Sequence, residues 1–237
     1  MTSASERLLV TGGASGIGRA IAEEGLAHGW DVVVLDRVPA PVGRGVLADL
    51  ADTGATAAAL AEVLSSGPVT RLVNNVGAVF PGALHEQTLA DLDGAYGLNL
   101  RCAVQCTQAV LPGMTEAGFG RIVNLTSRAA LGKELRTAYA ASKAGLIGLT
   151  RVWALELGPR GITVNAIGPG PIATELFARA NDPVRTREIV EAVPVRRIGS
   201  PDDVAHAASF FLDERAGFVT GQVLYVCGGL TVGVAPV

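Results

Sequence analysis

The chain is poor in the residues that mark several classes of protein. Its three cysteines, Cys102, Cys106 and Cys227, are an odd number without a C-x-x-C pair, which favours a reduced, cytoplasmic protein over a disulfide framework. The three histidines are too scattered to form a local metal motif, so we expect no metal site. Only 17% of the 237 residues are charged and the net charge is -3, which argues against a nucleic-acid partner.

Long hydrophobic runs and lysines are also scarce. No apolar stretch approaches the ~18 residues of a membrane span, and the polar N-terminal residues 1–7 do not match a signal peptide. We therefore expect no membrane partner and no processing. Lys133 and Lys143 are the only lysines among 19 basic residues. The length suits a single α/β domain, 1–237, with little room for a second.

Short apolar runs alternate with longer helical patterns throughout the chain. This order is typical of βαβ units, in which helices cover both faces of a parallel sheet. We expect one sheet of eight strands, and seven candidate runs can be named, at 8–10, 32–35, 45–48, 72–74, 122–125, 163–167 and 223–226. Helices are predicted at 17–28, 53–64, 92–114, 139–158 and 201–212, the last with Ser200 as its N-cap.

One connection breaks this alternation. Only residues 37–44, two of them prolines, separate Asp36 at the end of the second predicted strand from Gly45 at the start of the third. This segment is too short and too rich in proline for a helix, although a parallel crossover usually carries one. We predict an α/β fold with a Rossmann-like, doubly wound parallel sheet and a helix-free connection at this point.

The first predicted strand leads into a glycine-rich turn, residues 11–18, and then into a helix. Glycines let the backbone approach a pyrophosphate, and the helix N-terminus offers free N–H groups. A dinucleotide site also needs an acidic residue about 20 positions on, and Asp36 meets that requirement. The turn residues predicted to bind the cofactor are Gly12, Ser15, Gly16, Ile17 and Gly18.

Asp36 also bears on the choice of cofactor. A carboxylate in this position accepts hydrogen bonds from ribose hydroxyls and repels a 2′-phosphate, which favours NAD over NADP. The neighbouring Arg37 leaves NADP open, because a guanidinium beside the ribose can hold a phosphate.

Tyr139 and Lys143 are four positions apart on a predicted helix and so share one face. A nearby ammonium and an oxidised nicotinamide both lower the pKa of a phenol from its reference value of about 10. Tyr139 could then exchange a proton with an alcohol. Ser127 follows a predicted strand at the carboxyl edge of the sheet, where ligands of such folds bind.

Together these motifs resemble the classical short-chain dehydrogenase/reductase family over essentially the whole chain. In sequence order the matches are the turn 11–18, Asp36, Asp49-Leu50, Asn74 to Gly77, Asn99, Ser127, Tyr139 with Lys143, Pro169-Gly170 with Thr174, and Thr220 to Gln222. The resemblance implies further cofactor contacts from Asp49, Leu50, Asn75, Val76, Gly77, Tyr139, Lys143, Pro169, Gly170, Ile172 and Thr174. It also implies a homotetramer or homodimer, joined through the predicted helices 92–114 and 139–158.

The resemblance implies four catalytic roles. Tyr139 would be the general acid/base, and Lys143 would hold the nicotinamide ribose and lower the pKa of Tyr139. Ser127 would polarise the carbonyl, because developing charge on oxygen needs a preorganised donor. Asn99 would anchor a water that links Lys143 to solvent.

Three features depart from the usual pattern of the family. They are the helix-free connection, Cys227 where an Asp often precedes a Gly-Gly pair, and a Ser127 to Tyr139 spacing that is one residue short. Thr126 lies at the distance from Tyr139 along the chain that is common in the family, but the family's pattern at the end of this strand aligns with Ser127.

The substrate side is less defined by the sequence. Residues 171–194 look like a mobile lid with an apolar lip and a basic flank, formed by Leu176, Phe177, Arg179, Arg185 and Arg187. Arg128 and Arg136 could face an anionic group on the substrate, cap the lid or lie in a subunit contact.

The expected function is hydride transfer between NAD(H) and a secondary alcohol or ketone. One alternative is NADP(H)-dependent reduction of 3-oxoacyl groups on a carrier protein, which Asp36 argues against. A second is a catalytically silent dinucleotide-binding regulator, which would be expected to have lost Ser127, Tyr139 or Lys143.

Overall fold

Seven parallel strands form one sheet in the computed structural model, which describes residues 6–232. They are β1 (Arg7–Thr11), β2 (Asp31–Asp36), β3 (Arg44–Leu47), β4 (Arg71–Asn74), β5 (Gly120–Leu125), β6 (Ile162–Pro169) and β7 (Val223–Val226). Their order, β3-β2-β1-β4-β5-β6-β7, confirms the doubly wound, Rossmann-like arrangement. Every predicted run forms a strand. The expected number of eight was wrong, because the described chain between these runs folds into helices and loops.

The helices of the described residues differ from the prediction in two places. They are α1 (Gly16–Ala27), α2 (Thr53–Ser65), α3 (Leu89–Tyr96), α4 (Cys102–Ala117), α5 (Thr137–Leu157), α6 (Glu175–Ala180), α7 (Pro183–Ala192) and α8 (Pro201–Leu212). The predicted helix 92–114 is divided into α3 and α4 by a π turn, Gly97–Arg101, which shifts side chains out of the ordinary helical register. The segment 171–194 contains the short helices α6 and α7. Ser200 caps α8 as predicted.

The connection between β2 and β3 is helix-free, as predicted. β3 pairs with β2 at the edge of the sheet, with Val33 opposite Arg44 and Asp36 opposite Leu47. Asp36 therefore stands at the carboxyl end of its strand.

Both faces of the sheet are covered by apolar side chains, as alternate residues of β1 show. Leu9 packs in a core shared with α2, α4 and α5, whereas Leu8 and Val10 pack in a core shared with α1 and α8. Cys102 and Cys106 are buried in the first of these cores. Because water reaches neither face of the central strands β1, β2, β4, β5 and β6, these strands are mostly apolar rather than alternating.

The strand order reverses between β1 and β4, since the chain builds the sheet outward from this pair in both directions. A crevice at the carboxyl ends of the strands is the usual ligand site at such a point.

Residues 1–5, which belong to the polar N-terminal segment, and residues 233–237 lie outside the described residues. Between residues 6 and 232 no helix has both the length and the apolar character that crossing a membrane requires. In the same range no three His, Cys, Asp or Glu side chains are grouped so that they could hold a metal ion.

Candidate active site

A cleft of about 1310 Å³ lies along the carboxyl edge of the sheet. Its walls include residues that end or follow β1 to β6, the N-terminal part of α5, and parts of α6 and α7. All the predicted cofactor residues line it: Gly12, Ser15, Gly16, Ile17, Gly18, Asp36, Arg37, Asp49, Leu50, Asn75, Val76, Gly77, Tyr139, Lys143, Pro169, Gly170, Ile172 and Thr174. Ser127 lines the cleft as well, but Asn99 is not part of its wall.

The glycine-rich turn is held in a conformation that other residues would strain. Gly12 and Gly16 have φ values of +67° and +52°, in the left-handed region. A Cβ on Gly18 would lie 2.2 Å from the carbonyl oxygen of Gly12, so only glycine lets α1 approach β1 this closely. The Asn75 amide donates to the carbonyl oxygens of Thr11 (3.0 Å) and Gly12 (2.9 Å), which ties the turn to the end of β4.

The N-terminus of α1 offers unoccupied hydrogen-bond donors to the cleft. Side chains cap α2, α3, α6, α7 and α8, whereas the N-caps of α1, α4 and α5 make no side-chain capping bond. Ser15, the N-cap of α1, lines the cleft in the glycine-rich turn. Free N–H groups and the positive end of the helix dipole favour an anion at this position. The turn therefore fits the pyrophosphate of a nicotinamide dinucleotide.

Asp36 closes β2 beside this turn. Its carboxylate accepts hydrogen bonds from the backbone N–H of Ala14 (3.0 Å) and Val38 (3.3 Å). It is thus fixed next to the glycine-rich turn, and Arg37 lines the same part of the cleft.

Lys143 is buried on α5, with 3% of its surface exposed, and its Nζ donates to the carbonyl oxygen of Leu125 at 2.6 Å. Removal from water disfavours the charged form and lowers the pKa of Lys143 to about 8. The ammonium lies 5.8 Å from the centroid of the Tyr139 ring, so the two side chains share a face of α5, as predicted.

Tyr139 lies in the first turn of α5 and lines the cleft together with Ser127. Burial raises the pKa of the phenol, while a hydrogen bond with Ser127 and the positive charge of Arg136 lower it. We expected Lys143 and an oxidised nicotinamide to lower this pKa. In this structure burial is the largest influence, and it acts in the opposite direction.

Ser127 and Thr126 make different use of their hydroxyl groups. Thr126 is 3% exposed, and its hydroxyl donates to the carbonyl oxygen of Lys143 at 2.7 Å. The Ser127 oxygen accepts from the N–H of Ala129 at 3.1 Å, so its own proton is available to Tyr139 or to a ligand. The geometry therefore favours Ser127 over Thr126 as the donor to a ligand.

Asn99 lies in the π turn and is 1% exposed. Its side-chain oxygen accepts from the N–H of Ala78 at 2.7 Å. Its side-chain nitrogen donates to the carbonyl oxygen of Ala78 at 3.0 Å and to the Ser142 hydroxyl at 2.9 Å. In this structure Asn99 connects the segment after β4 to α5, the helix of Tyr139 and Lys143.

Gln87 is a site residue that was not predicted from the sequence. Its side chain accepts from the N–H of Ala138 (3.2 Å) and donates to the carbonyl of Phe80 (3.3 Å), so it fixes the first turn of α5 next to Tyr139. Gln87 lies in a loop without a motif, and only the tertiary structure identifies it.

The opposite end of the cleft is formed by side chains from α6, α7 and the loop 132–136. Of the predicted lid residues, Leu176, Phe177 and Arg185 line the cleft, whereas Arg179 and Arg187 do not. Leu135 has φ +58°, a left-handed conformation that costs a non-glycine residue about 1–2 kcal/mol. Three cations also line this end: Arg128, Lys133 and Arg136.

Known proteins match the chain over nearly its whole length. A family model described as Enoyl-(Acyl carrier protein) reductase matches residues 12–231. The chain is 42% identical over 236 residues to the (2S)-[(R)-hydroxy(phenyl)methyl]succinyl-CoA dehydrogenase subunit BbsD of Thauera aromatica, covering 93% of this chain and 94% of that protein. It is 35% identical to the 3-oxoacyl-[acyl-carrier-protein] reductase FabG of Staphylococcus epidermidis, over 94% of this chain and 97% of the relative.

Solved structures agree with these relatives. A 3-oxoacyl (acyl-carrier-protein) reductase from Agrobacterium tumefaciens with NADP bound superposes with a TM-score of 0.89 at 30% identity, over 95% of this chain and 94% of that chain. The family resemblance is thereby confirmed. The chain belongs to the short-chain dehydrogenase/reductase family and is an NAD(P)-dependent oxidoreductase that acts on CH–OH groups.

Proposed function

We propose that this enzyme interconverts a secondary alcohol and a ketone with NAD(H), using Tyr139 as general acid/base. The observation that carries the proposal is the arrangement of Tyr139, Ser127 and Lys143 in one wall of the cleft. The name of the Thauera aromatica relative, which describes a hydroxy group on a phenyl-bearing carbon, supports a secondary alcohol as the reacting group.

The nicotinamide, when bound, supplies the hydride acceptor or donor. Tyr139 takes the hydroxyl proton of an alcohol during oxidation and returns it to the oxygen during reduction. Ser127 donates a hydrogen bond to the substrate oxygen, whose negative charge grows in the transition state. Lys143, charged below a pH of about 8, favours the phenolate through its position against the ring of Tyr139.

Three residues hold this arrangement in place. Asn99 and Gln87 fix α5 to the segments after β4, and Thr126 fixes α5 to the end of β5. We assign them positioning roles, since their polar groups bond within the protein. Segment 171–194 acts as the lid over the substrate.

The preference for NAD rests on Asp36. Its carboxylate stands at the end of β2, where it would accept hydrogen bonds from the adenosine ribose and repel a 2′-phosphate. A second candidate function is NADP(H)-dependent 3-oxoacyl reduction. Arg37 in the cleft wall, the FabG relative and the NADP-bound structure favour it.

A paired screen tests both candidates. Secondary alcohols and 3-oxoacyl thioesters are offered with NAD(H) and NADP(H), and formation or loss of reduced nicotinamide is followed. We expect turnover of an alcohol with NAD and tighter binding of NAD than of NADP in calorimetry. Tighter binding of NADP by the wild type would contradict the NAD assignment.

Asp36→Asn sharpens this test, because it removes the charge and keeps the shape of the side chain. We expect the ratio of NADP to NAD affinity to rise about tenfold, the equivalent of about 1.4 kcal/mol. Asp93→Asn is a matched control, since Asp93 is an exposed carboxylate outside the cleft.

We also propose a cytoplasmic homotetramer joined through α3, α4 and α5. Apolar side chains exposed on α3 and α5 support it: Leu89, Leu92, Tyr96, Val152 and Leu155. Light scattering of the purified protein gives the mass, and a monomer would contradict this assignment.

A further inference from the structure

A group of four cations surrounds the substrate end of the cleft. Arg128 lies in the short turn after Ser127, Lys133 and Arg136 lie in the loop before α5, and Arg185 lies on α7. All four line the cleft, although they come from two separate segments of the chain, residues 128–136 and α7.

The protein does little to neutralise this positive charge. Arg185 pairs with Glu188 at 2.7 Å, but within residues 6–232 neither Arg128, Lys133 nor Arg136 forms an ion pair. Two acidic residues line this end of the cleft, Glu134 and Glu175. Glu175 pairs with Arg179 at 3.0 Å, so Glu134 is the one carboxylate among the lining residues here that remains to offset the four positive charges.

The four cations repel one another. Partial removal from water lowers the pKa of Lys133, and the charges of Arg136, Arg128 and Arg185 lower it further. Like charges held together in this way oppose folding unless a ligand compensates them. The group also adjoins the reacting position, because Arg128 directly follows Ser127 and Arg136 is the N-cap of α5, three residues before Tyr139.

We propose that Arg128, Lys133, Arg136 and Arg185 bind an anionic group, a carboxylate or a phosphate, carried by the alcohol or ketone substrate. The inference rests on the proposed function and adds the substrate class to it. Guanidinium groups bind carboxylates and phosphates through paired hydrogen bonds. The four cations therefore select substrates that carry a negative charge.

Calorimetry tests the group directly. Succinate, inorganic phosphate and the uncharged succinamide are titrated into the protein with and without saturating NADH. We expect succinate or phosphate to bind and succinamide not to bind. Whichever anion binds more tightly to the NADH complex identifies the carboxylate or the phosphate as the preferred group.

The double variant Arg128→Gln/Lys133→Gln supplies the decisive comparison. Each lost charged hydrogen bond weakens anion binding about tenfold or more, so we expect at least about a hundredfold loss. The matched control is Arg187→Gln, which removes the same charge from α7 outside the cleft wall and leaves anion affinity unchanged. Unchanged NADH affinity of the double variant shows that its cofactor end is intact.

Equal anion affinity of the wild type and the double variant would overturn the inference, as would failure of both anions to bind the wild type. A protein that does not bind NADH would contradict the proposed function instead. The anion titrations without NADH would still decide the role of the cations.

Discussion

The cofactor end of the cleft is held by hydrogen bonds between backbone and side chains, whereas few contacts restrain the substrate end. At the cofactor end, Asn75 holds two carbonyls of the glycine-rich turn and Asp36 holds the N–H of Ala14. At the substrate end, α6 and α7 bury none of their residues. The framework thus holds the cofactor end more tightly than the substrate end.

The two lysines show the same contrast. Lys143 is buried and bonded to Leu125, whereas Lys133 is exposed and lies among arginines. Packing inside the fold therefore fixes the position of Lys143, whereas the position of Lys133 depends on an exposed loop. Variants at the two ends of the cleft, each compared with a control, test this contrast.

Tyr139→Phe is expected to have the largest effect. Loss of the general acid/base lowers kcat by about 10²–10⁴-fold, while calorimetry shows that NADH still binds. Tyr225→Phe is the control, because this tyrosine lies on β7, outside the cleft wall and outside the proposed subunit contact. Wild-type turnover by Tyr139→Phe would remove Tyr139 from the mechanism.

Ser127→Ala tests which hydroxyl serves the substrate. Removal of a donor to the developing oxyanion lowers kcat by about 10²–10³-fold. Thr126→Val lowers the free energy of unfolding by about 1 kcal/mol through loss of the bond to Lys143, with a smaller fall in kcat. A larger fall in kcat for Thr126→Val would reverse the two assignments.

The pH dependence of stability separates the two lysines. The pKa of Lys143 is lowered from 10.5 to about 8 by folding, so between these values only the unfolded chain binds the proton. The free energy of unfolding therefore rises with pH in this range, by up to about 3 kcal/mol. We expect urea unfolding to show that Lys143→Met loses this rise and Lys133→Met retains most of it. A rise retained in Lys143→Met would show that this lysine is not desolvated.

Leu135→Gly has the smallest expected effect. Glycine adopts the left-handed conformation without strain, so the free energy of unfolding rises by less than about 1 kcal/mol. Leu131→Gly is the control, because Leu131 is similarly exposed but lies in a helical turn, and there glycine destabilises by about 0.5–1 kcal/mol. Equal losses in both variants would show that Leu135 is unstrained.

The cofactor end could be predicted from the sequence because its constraints are local. A strand, a glycine turn, a helix and an acidic strand end follow one another, and each leaves its own pattern around Gly12, Gly18 and Asp36. The helix-free connection after Asp36 was predicted for the same reason. Burial of apolar residues on both faces likewise made every strand visible as an apolar run.

The substrate end could not be predicted in the same way. Arg185 lines the cleft and Arg187 does not. This difference depends on how α7 packs against the rest of the fold, which no local sequence pattern predicts. The π turn at Asn99 and the contact of Gln87 with α5 are tertiary features as well. The raised pKa of Tyr139 follows from its depth in the fold, which spacing alone does not define.

Transfer of deuterium tests the central claim most directly. A secondary alcohol found in the screen is labelled with deuterium on its hydroxyl-bearing carbon and incubated with the enzyme and NAD. The account predicts that mass spectrometry finds one deuterium in the NADH formed, and that NADP in place of NAD gives slower transfer. NADH without deuterium, or faster transfer to NADP, would contradict it.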